Sequence, residues 1–216
     1  MNKYIFIRHG QTDMNINKML QGRSETKLNE VGLNQAKLAK EYLDENNIKA
    51  DYVFSSPLGR ARKTAKILTP YLSDEKFFVA DKMIEMCFGA YELRKREELE
   101  KEDPEFIKTF FYTPDKFVEH DGIESFEALI KRCGSFVNEL KEFDIKHKDE
   151  ELTVFVTSHG AAIRGVSSFV NKTPIKDFWK LPVHNLAMFN LDLYGDTGFK
   201  PIFDGYTDGI DFNSEW

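Results

Sequence analysis

Residues 4–12 read Tyr-Ile-Phe-Ile-Arg-His-Gly-Gln-Thr. The four leading apolar and aromatic residues predict a short buried strand, which ends abruptly at Arg8, His9 and Gly10. In an open α/β sheet, ligands bind beyond the carboxyl ends of the strands, where side chains leave the buried ladder. Taken alone, these three residues fit a polar turn about as well as a site with a nucleophilic histidine. The rest of the chain must decide between the two interpretations.

The composition indicates a single globular, water-soluble domain over residues 1–216. The chain has 216 residues, of which 41% are hydrophobic and 31% charged. One hydrophobic core serves chains of up to roughly 250 residues. The amino terminus has no leader of positive and then apolar residues, and no apolar run reaches the length of about 18 that crosses a bilayer. We therefore expect neither secretion nor membrane association.

Charge and cysteine content exclude further classes of protein. The formal net charge is −6, whereas proteins that bind nucleic acid carry basic patches or stripes. We therefore expect no nucleic-acid partner, and an anionic substrate would have to be attracted by a few placed arginines. The two cysteines, Cys87 and Cys133, are too few for a disulfide framework and predict a reducing, cytoplasmic location.

Apolar periodicity predicts strands that alternate with helices. Beyond the first strand, strands are predicted at 50–55, 76–80, 152–157, 187–193 and 199–203, and helices at 28–47, 58–72, 125–143 and 161–170. A charged tract at 92–102, expected to be a solvated helix, interrupts this alternation and suggests a helical cap insertion at about 90–122. The pattern predicts an α/β three-layer sandwich with a mostly parallel central sheet flanked by helices.

Three more predicted strands are followed by polar groups of the same kind. Arg60 follows the second strand, Glu85 the third, and His159 the strand that begins at Leu152. Guanidinium groups bind phosphate oxygens bidentately, and a neutral imidazole can attack phosphorus in line. Two arginines and two histidines at one sheet edge therefore suit a phosphoryl group, and the carboxylate suits its leaving group.

These residues belong to longer motifs that follow one another in a fixed order. The motifs are Arg8-His9-Gly10-Gln11-Thr12 with Asn15; Gln21-Gly22 followed by Leu28-Asn29 and Gly32; Ser56-Pro57-Leu58 with Arg60, Ala61, Thr64 and Ala65; Glu85 with Phe88-Gly89; Glu124-Ser125 with Arg132; and Ser158-His159-Gly160 with Ile163-Arg164. Together they resemble the histidine phosphatase superfamily, also called the phosphoglycerate mutase-like family. The resemblance spans roughly residues 4–193.

The resemblance implies a role for each residue, and the chemistry agrees with it. His9 attacks phosphorus and carries a phosphohistidine, while Arg8, Arg60 and His159 bind the equatorial oxygens. Glu85 protonates the departing alcohol and then activates the water that hydrolyses phosphohistidine. The implied phosphate-binding residues are Arg8, Asn15, Gln21, Gly22, Arg60, His159 and Gly160. No metal and no organic cofactor is required.

Three functions stay open at this point. The favoured one is a phosphomonoester hydrolase that acts on small phosphorylated metabolites. The alternative is a cofactor-dependent phosphoglycerate mutase, but mutases are usually longer and commonly have serine and tryptophan where this chain has Thr12 and Met14. A catalytically silent phosphate-binding scaffold is the third. The sequence predicts no oligomeric state.

Three further segments have two interpretations each. The cap side chains either form an apolar wall over the site or pack the insertion onto the sheet; they are Phe106, Ile107, Phe110, Phe111, Tyr112 and Phe117. His184 either lies near the phosphate, where the family has a polar residue, or is structural. The tail at 205–216 either closes over the site or lies on the surface.

Overall fold

In the computed structural model, which describes residues 2–195 and 197–206, six strands form one sheet. The strands are β1 (Lys3–Arg8), β2 (Tyr52–Ser55), β3 (Phe77–Val79), β4 (Thr153–Ser158), β5 (Met188–Leu191) and β6 (Phe199–Phe203). Their order across the sheet is β3-β2-β4-β1-β5-β6. The first four are parallel to one another, and β5 pairs antiparallel with both β1 and β6. The predicted mostly parallel sheet is confirmed.

Seven α-helices connect or flank these strands within the described residues. They are α1 (Asp13–Ile16), α2 (Glu30–Glu45), α3 (Gly59–Leu68), α4 (Arg96–Glu102), α5 (Pro104–Ile107), α6 (Phe126–Lys146) and α7 (Gly160–Asn171). Each helix in this part of the chain is too short or too polar to span a bilayer. Residues 207–216, most of the tail with two interpretations, lie outside the described residues.

The central strand β1 is buried on both faces. Tyr4 and Phe6 contribute to one hydrophobic cluster, which includes side chains of α6 and α7. Ile5 and Ile7 contribute to a second cluster, which includes side chains of α2 and α3. Successive side chains of a strand point to opposite faces of its sheet, so helices cover both sides. The predicted three-layer sandwich is confirmed, and it explains why β1 is a continuous apolar run.

The carboxyl ends of three parallel strands lie level with one another. In the register of the sheet, Arg8 at the end of β1 pairs with Ser158 at the end of β4. Ser55 at the end of β2 pairs with Thr157 of β4. The loops that follow these strands therefore leave the sheet at the same edge.

The segment between the third strand and α6 departs from the predicted continuous helix. Leu93 has a φ of 61°, and its N–H donates to the carbonyl oxygen of Leu20. Arg96 N–H donates in the same way to the carbonyl oxygen of Lys18. Because these residues pair with the stretch after α1, helix α4 begins only at Arg96.

Three aromatic side chains of this segment serve packing. Phe106, Phe110 and Phe111 are at most 5% exposed and belong to the cluster that covers α6 and α7. The ring of Phe110 lies 5.0 Å from that of Phe126 and 5.5 Å from that of Trp179. The insertion is therefore fixed to the body of the protein by its own aromatic residues.

Candidate active site

A pocket opens at the sheet edge where the strand ends converge. Eight of the nine predicted site residues line it: Arg8, His9, Asn15, Gln21, Gly22, Arg60, Glu85 and Gly160. The ninth, His159, is fully buried, and its ring lies 5.1 Å from the ring of His9. The structure therefore brings together all nine predicted site residues, from segments far apart in the chain.

His9 is fixed through both its backbone and its ring. Its N–H donates to the carbonyl oxygen of Ser158, and its own carbonyl oxygen accepts from Nδ2 of Asn185 at 2.9 Å. Nδ1 of the ring lies 2.7 Å from the carbonyl oxygen of Gly10. Since a carbonyl oxygen can only accept, Nδ1 carries the hydrogen and Nε2 keeps its lone pair. The Nε atom of Arg60 donates to this Nε2 at 3.3 Å.

Both histidines have a lowered pKa. Burial is the main cause for His9, and the positive charges of Arg60 and Arg8 lower its pKa further. Burial also lowers the pKa of His159, with added contributions from Arg60, His9 and Arg8. Loss of hydration and nearby cations both disfavour an imidazolium. The two rings are therefore neutral at neutral pH, which is the form that can act as a nucleophile.

Arg60 connects α3 to the loop after α1. Its Nη2 donates to the carbonyl oxygen of Gly22 at 2.8 Å, and its Nη1 donates to the carbonyl oxygen of Ser24 and the hydroxyl of Thr26. Burial lowers the pKa of Arg60 to about 10. The guanidinium therefore remains charged at neutral pH, and its position is fixed before any ligand binds.

The remaining residues near this loop are held by short contacts. The side-chain oxygen of Asn15 accepts a hydrogen bond from the backbone N–H of Thr12, and Thr12 is the residue that caps the amino terminus of α1. Oε1 of Gln21 accepts from the hydroxyls of Thr12 and Thr26. On the opposite side, Nη1 of Arg8 donates to the carbonyl oxygen of Val183 at 2.5 Å. These contacts orient the polar lining of the pocket.

The carboxylate of Glu85 lies at the amino terminus of α7. It accepts three backbone N–H groups, from Met86, Ala161 and Ala162, at distances of 2.8 to 3.2 Å. Anionic groups are stabilised at helix amino termini, where backbone N–H groups lack partners within the helix. One carboxylate thus bridges the loop after β3 and the helix after β4.

Arg132 of α6 fixes the loop that carries Glu85. Its guanidinium donates to the carbonyl oxygens of Lys82 and Ile84 at 2.7 Å and to that of Glu85 at 3.1 Å. The same guanidinium pairs with the carboxylate of Glu124 at 2.6 Å. The motif residues Glu124 and Arg132 therefore hold the loop that carries Glu85 in place, although neither residue lines the pocket.

Sequence reasoning missed several residues of this site. Ser56 was identified only as part of a motif, yet its hydroxyl lies 2.7 Å from Nε2 of His159. Arg164 and Trp179 line the pocket, and Arg164 follows Gly160 by one helical turn, a spacing that places both on one helix face. Trp179 has no local signal in the sequence, whereas Asn185 directly follows His184, in the segment where the family has a polar residue near the phosphate.

His184 and the cap side chains, each of which has two interpretations from the sequence, lie outside the lining of the pocket. His184 is not among the lining residues, and burial together with Arg8 and Arg164 lowers its pKa. Its neighbour Asn185 donates a hydrogen bond to the carbonyl oxygen of His9. The lining also lacks the six cap side chains and instead has Phe88 and Trp179 as its aromatic members.

Comparisons with known proteins agree on one family. The model of the histidine phosphatase superfamily (branch 1) matches residues 4–200. A metal-independent phosphoserine phosphatase of Arabidopsis thaliana is 32% identical over 167 residues, which is 77% of this chain and 67% of the relative. An adenosylcobalamin/alpha-ribazole phosphatase of Escherichia coli (strain K12) is 29% identical over 189 residues, which is 87% of this chain and 88% of the relative.

A solved structure is similar over nearly the whole chain. It is the phosphoserine phosphatase of Entamoeba histolytica in complex with 3-phosphoglyceric acid, with a TM-score of 0.75 and 25% identity over 94% of this chain and 95% of that one. The chain therefore belongs to branch 1 of the histidine phosphatase superfamily and is a phosphomonoester hydrolase.

Proposed function

We propose that the chain hydrolyses small phosphomonoesters through a phosphohistidine formed on Nε2 of His9. The observation that carries this proposal is the contact between Nδ1 of His9 and the carbonyl oxygen of Gly10. It leaves a lone pair on Nε2 in a pocket that also contains Arg8 and Arg60. A nucleophile and the cations that a phosphoryl group requires therefore lie together.

In the first step, Nε2 of His9 forms a bond to phosphorus as the bond from phosphorus to the alcohol oxygen breaks. The phosphoryl oxygens carry the negative charge of the transition state, and Arg8, Arg60 and His159 bind them. The imidazole ring gains positive charge as the new bond forms. The Gly10 carbonyl oxygen, 2.7 Å from Nδ1, stabilises that charge.

Glu85 acts in both steps. The protonated form of its carboxyl group gives a proton to the departing alcohol oxygen, and the resulting carboxylate then takes a proton from the attacking water. Water displaces His9 from phosphorus, inorganic phosphate leaves, and the histidine returns to its neutral form. The support for this role is the place of Glu85 in the lining of the pocket that contains His9.

Four further residues are proposed to contact the phosphate. Asn15, Gln21, Gly22 and Gly160 line the same pocket as the two arginines.

We propose a single domain over residues 1–216, in which the segment 90–122 is the cap. We also propose a cytoplasmic location, which the cysteine content supports. The relatives named phosphoserine phosphatase and adenosylcobalamin/alpha-ribazole phosphatase support small phosphorylated metabolites as the substrate class.

A phosphate-release assay on a panel of small phosphomonoesters tests the proposal. The wild type should release phosphate from at least one compound, and His9→Ala should abolish the release. His147→Ala is the matched control, because His147 lies at the end of α6, outside the pocket lining. A panel on which the wild type does not exceed His9→Ala would contradict the proposal and favour a silent phosphate-binding scaffold.

A second assay separates hydrolysis from a mutase reaction. The protein is incubated with 3-phosphoglycerate and bisphosphoglycerate as primer while 2-phosphoglycerate and free phosphate are both measured. We expect phosphate without rapid isomerisation. Rapid formation of 2-phosphoglycerate without phosphate release would establish the mutase alternative instead.

A further inference from the structure

The half-buried carboxylate of Glu92 joins two loops of the site, although Glu92 does not line the pocket. Its Oε2 accepts a hydrogen bond from the hydroxyl of Ser24 at 2.6 Å. Its Oε1 accepts from the backbone N–H groups of Arg23 at 2.9 Å and Phe88 at 3.2 Å. Hydrogen bonds to a carboxylate are about twice as strong as those between neutral groups. Glu92 therefore connects the loop after α1 with the loop after β3.

Gly22 allows the carboxylate to lie directly against the backbone of the first of these loops. Its φ is 51°, a left-handed conformation that glycine adopts without steric cost. A Cβ at this position would clash with Oε1 of Glu92. Glu92 therefore contacts three consecutive residues, Gly22, Arg23 and Ser24, which form the loop 22–24.

The loop 22–24 also provides acceptors for Arg60. The carbonyl oxygen of Gly22 accepts from Nη2 at 2.8 Å, and that of Ser24 accepts from Nη1 at 2.9 Å. Arg60 is 1% exposed, so these carbonyl oxygens replace its hydration. Its Nε lies 3.3 Å from Nε2 of His9. The position of the loop 22–24 therefore sets the position of the guanidinium beside the nucleophile.

The backbone that carries Glu92 is held independently of Arg60. The N–H of Leu93 donates to the carbonyl oxygen of Leu20 at 2.6 Å, and the N–H of Leu20 donates to the carbonyl oxygen of Arg94 at 3.1 Å. These two contacts fix the residues on the carboxyl side of Glu92 to the stretch that precedes the loop 22–24. The carboxylate therefore has a defined position from which it can hold the loop.

Other contacts of this loop region depend on exposed side chains. Arg23, whose side chain is 40% exposed, pairs with Glu124 at 3.3 Å. The exposed carboxylate of Glu25 accepts from the backbone N–H of Gly59 at 2.8 Å. Exposed ion pairs contribute about 1 kcal/mol or less to stability. Glu92 accepts hydrogen bonds from two consecutive residues of the loop, so its removal is the change that we expect to release the loop.

We propose that Glu92 is a positioning residue, which holds the carbonyl oxygens of Gly22 and Ser24 so that Arg60 meets the phosphoryl group in the productive geometry. The inference rests on the proposed function, since it concerns the phosphate site of the same reaction. A displacement of about 1 Å at a reacting centre can lower the rate about a hundredfold. Because Arg60 binds the phosphoryl oxygens, the effect should not depend on the leaving group.

The variant Glu92→Ala tests this role. Its kcat/KM should fall about tenfold to a hundredfold, by the same factor for an alkyl phosphate and for p-nitrophenyl phosphate. Glu92→Gln should recover most of the loss, because its amide oxygen can still accept from the two backbone N–H groups. Glu97→Ala is the matched control, since Glu97 is an exposed carboxylate of α4. A loss confined to the alkyl phosphate would overturn the inference, because it would place the effect at Glu85.

A double-mutant cycle with Arg60→Ala separates positioning from a role in the fold alone. The cycle uses kcat/KM for p-nitrophenyl phosphate, and thermal melting verifies that each variant is folded at the assay temperature. In the Arg60→Ala background, Glu92→Ala should cost less than about threefold, because a residue that acts through Arg60 has nothing left to position. An equal loss with and without Arg60 would overturn the inference.

Calorimetry with inorganic phosphate separates this inference from the proposed function, since it needs neither turnover nor an Arg60 variant. Glu92→Ala should bind phosphate about tenfold more weakly than the wild type, and Glu97→Ala should bind it equally well. If the wild type hydrolyses no ester but this difference is found, the proposed hydrolysis fails and the positioning role stands. If esters are hydrolysed but Glu92→Ala binds phosphate as tightly as the wild type, hydrolysis stands and the positioning role fails.

Discussion

Nδ1 of His9 lies 2.7 Å from the carbonyl oxygen of Gly10, the next residue in the chain. The contact selects one ring tautomer and so selects Nε2 as the reactive atom. Nε2 in turn lies 3.3 Å from Nε of Arg60. The reactive atom is therefore selected by the backbone of the next residue, and it lies beside an arginine of α3 before substrate arrives.

Removal of the proposed acid should affect poor leaving groups most. Glu85→Gln should lower kcat about a hundredfold to ten-thousandfold for an alkyl phosphate, because the alcohol then leaves without a proton. With p-nitrophenyl phosphate the leaving group needs no proton, so the first step should persist and the hydrolysis of phosphohistidine should become limiting. Stopped-flow absorbance should show a burst of about one nitrophenolate per active site.

Glu97→Gln is the control for this experiment, since its carboxylate lies on α4, outside the pocket lining. It should leave both kcat values unchanged. Equal losses of Glu85→Gln on alkyl and aryl phosphates, without a burst, would remove Glu85 from the role of acid and base.

Ser56 should matter for activity through His159. Its hydroxyl lies 2.7 Å from Nε2 of that histidine, and both side chains are fully buried. Ser56→Ala leaves a ring nitrogen without this partner, so kcat/KM should fall about tenfold. Ser55→Ala is the matched control, because Ser55 is equally buried but its hydroxyl donates to the backbone of Ser56. Steady-state kinetics on both variants should separate them, and equal effects would contradict a role for the Ser56 hydroxyl at His159.

Arg132 should act as a positioning residue for Glu85. Arg132→Gln removes hydrogen bonds to three carbonyl oxygens and leaves the carboxylate of Glu124 without this partner. The free energy of unfolding should fall by about 3 kcal/mol, as for a largely buried ion pair that loses one member. The ratio of kcat/KM for alkyl phosphate to kcat/KM for p-nitrophenyl phosphate should fall as well, because this parameter reports the first step, in which only the poor leaving group needs the proton of Glu85.

The neighbouring Lys131 is exposed and provides the control variant Lys131→Gln, which should preserve both the stability and the ratio. A loss of stability in Arg132→Gln at an unchanged ratio would mean that Arg132 serves the fold alone.

The buried histidines should make the protein less stable in acid. Burial, with help from Arg60 and Arg8, lowers the pKa of His9 and of His159 in the folded chain. Below about pH 6.5 the unfolded chain binds protons at these residues that the folded chain does not, so the free energy of unfolding falls as pH falls. Each histidine contributes up to about 1.4 kcal/mol per pH unit.

Guanidinium unfolding at a series of pH values from 8 to 5 measures this slope. The double variant His9→Asn/His159→Asn should lose stability less steeply than the wild type below pH 6.5, and the two slopes should agree near pH 8. Parallel curves over the whole range would contradict the lowered pKa values.

The sequence predicted the elements whose signal is strong and local. The predicted helix at 125–143 is observed as Phe126–Lys146, and the last predicted strand as Phe199–Phe203. The tract at 92–102 was mistaken for one solvated helix. Its first residue, Glu92, instead accepts hydrogen bonds from the N–H groups of Arg23 and Phe88. Partners from other segments decide that conformation, and no pattern within the tract reveals them.

The same limit explains the site residues that were missed. The motifs identified residues whose side-chain type itself indicates a chemical role, such as a histidine that directly follows a strand. Asn185 contacts His9 from 176 positions away, and Ser56 contacts His159 from 103 positions away. Trp179 lines the pocket from a short turn after α7. Tertiary packing alone brings these residues to the site, so single-sequence periodicity could not select them.

The identity of the phosphorylated atom tests the central claim most directly. Wild-type protein is mixed with p-nitrophenyl phosphate, quenched in alkali within milliseconds, and examined by peptide mass spectrometry and phosphorus NMR. The account predicts one phosphoryl group on Nε2 of His9, which accumulates in Glu85→Gln and is absent from His9→Ala. Phosphate on Nδ1, on His159, or released from His9→Ala at the wild-type rate would contradict it.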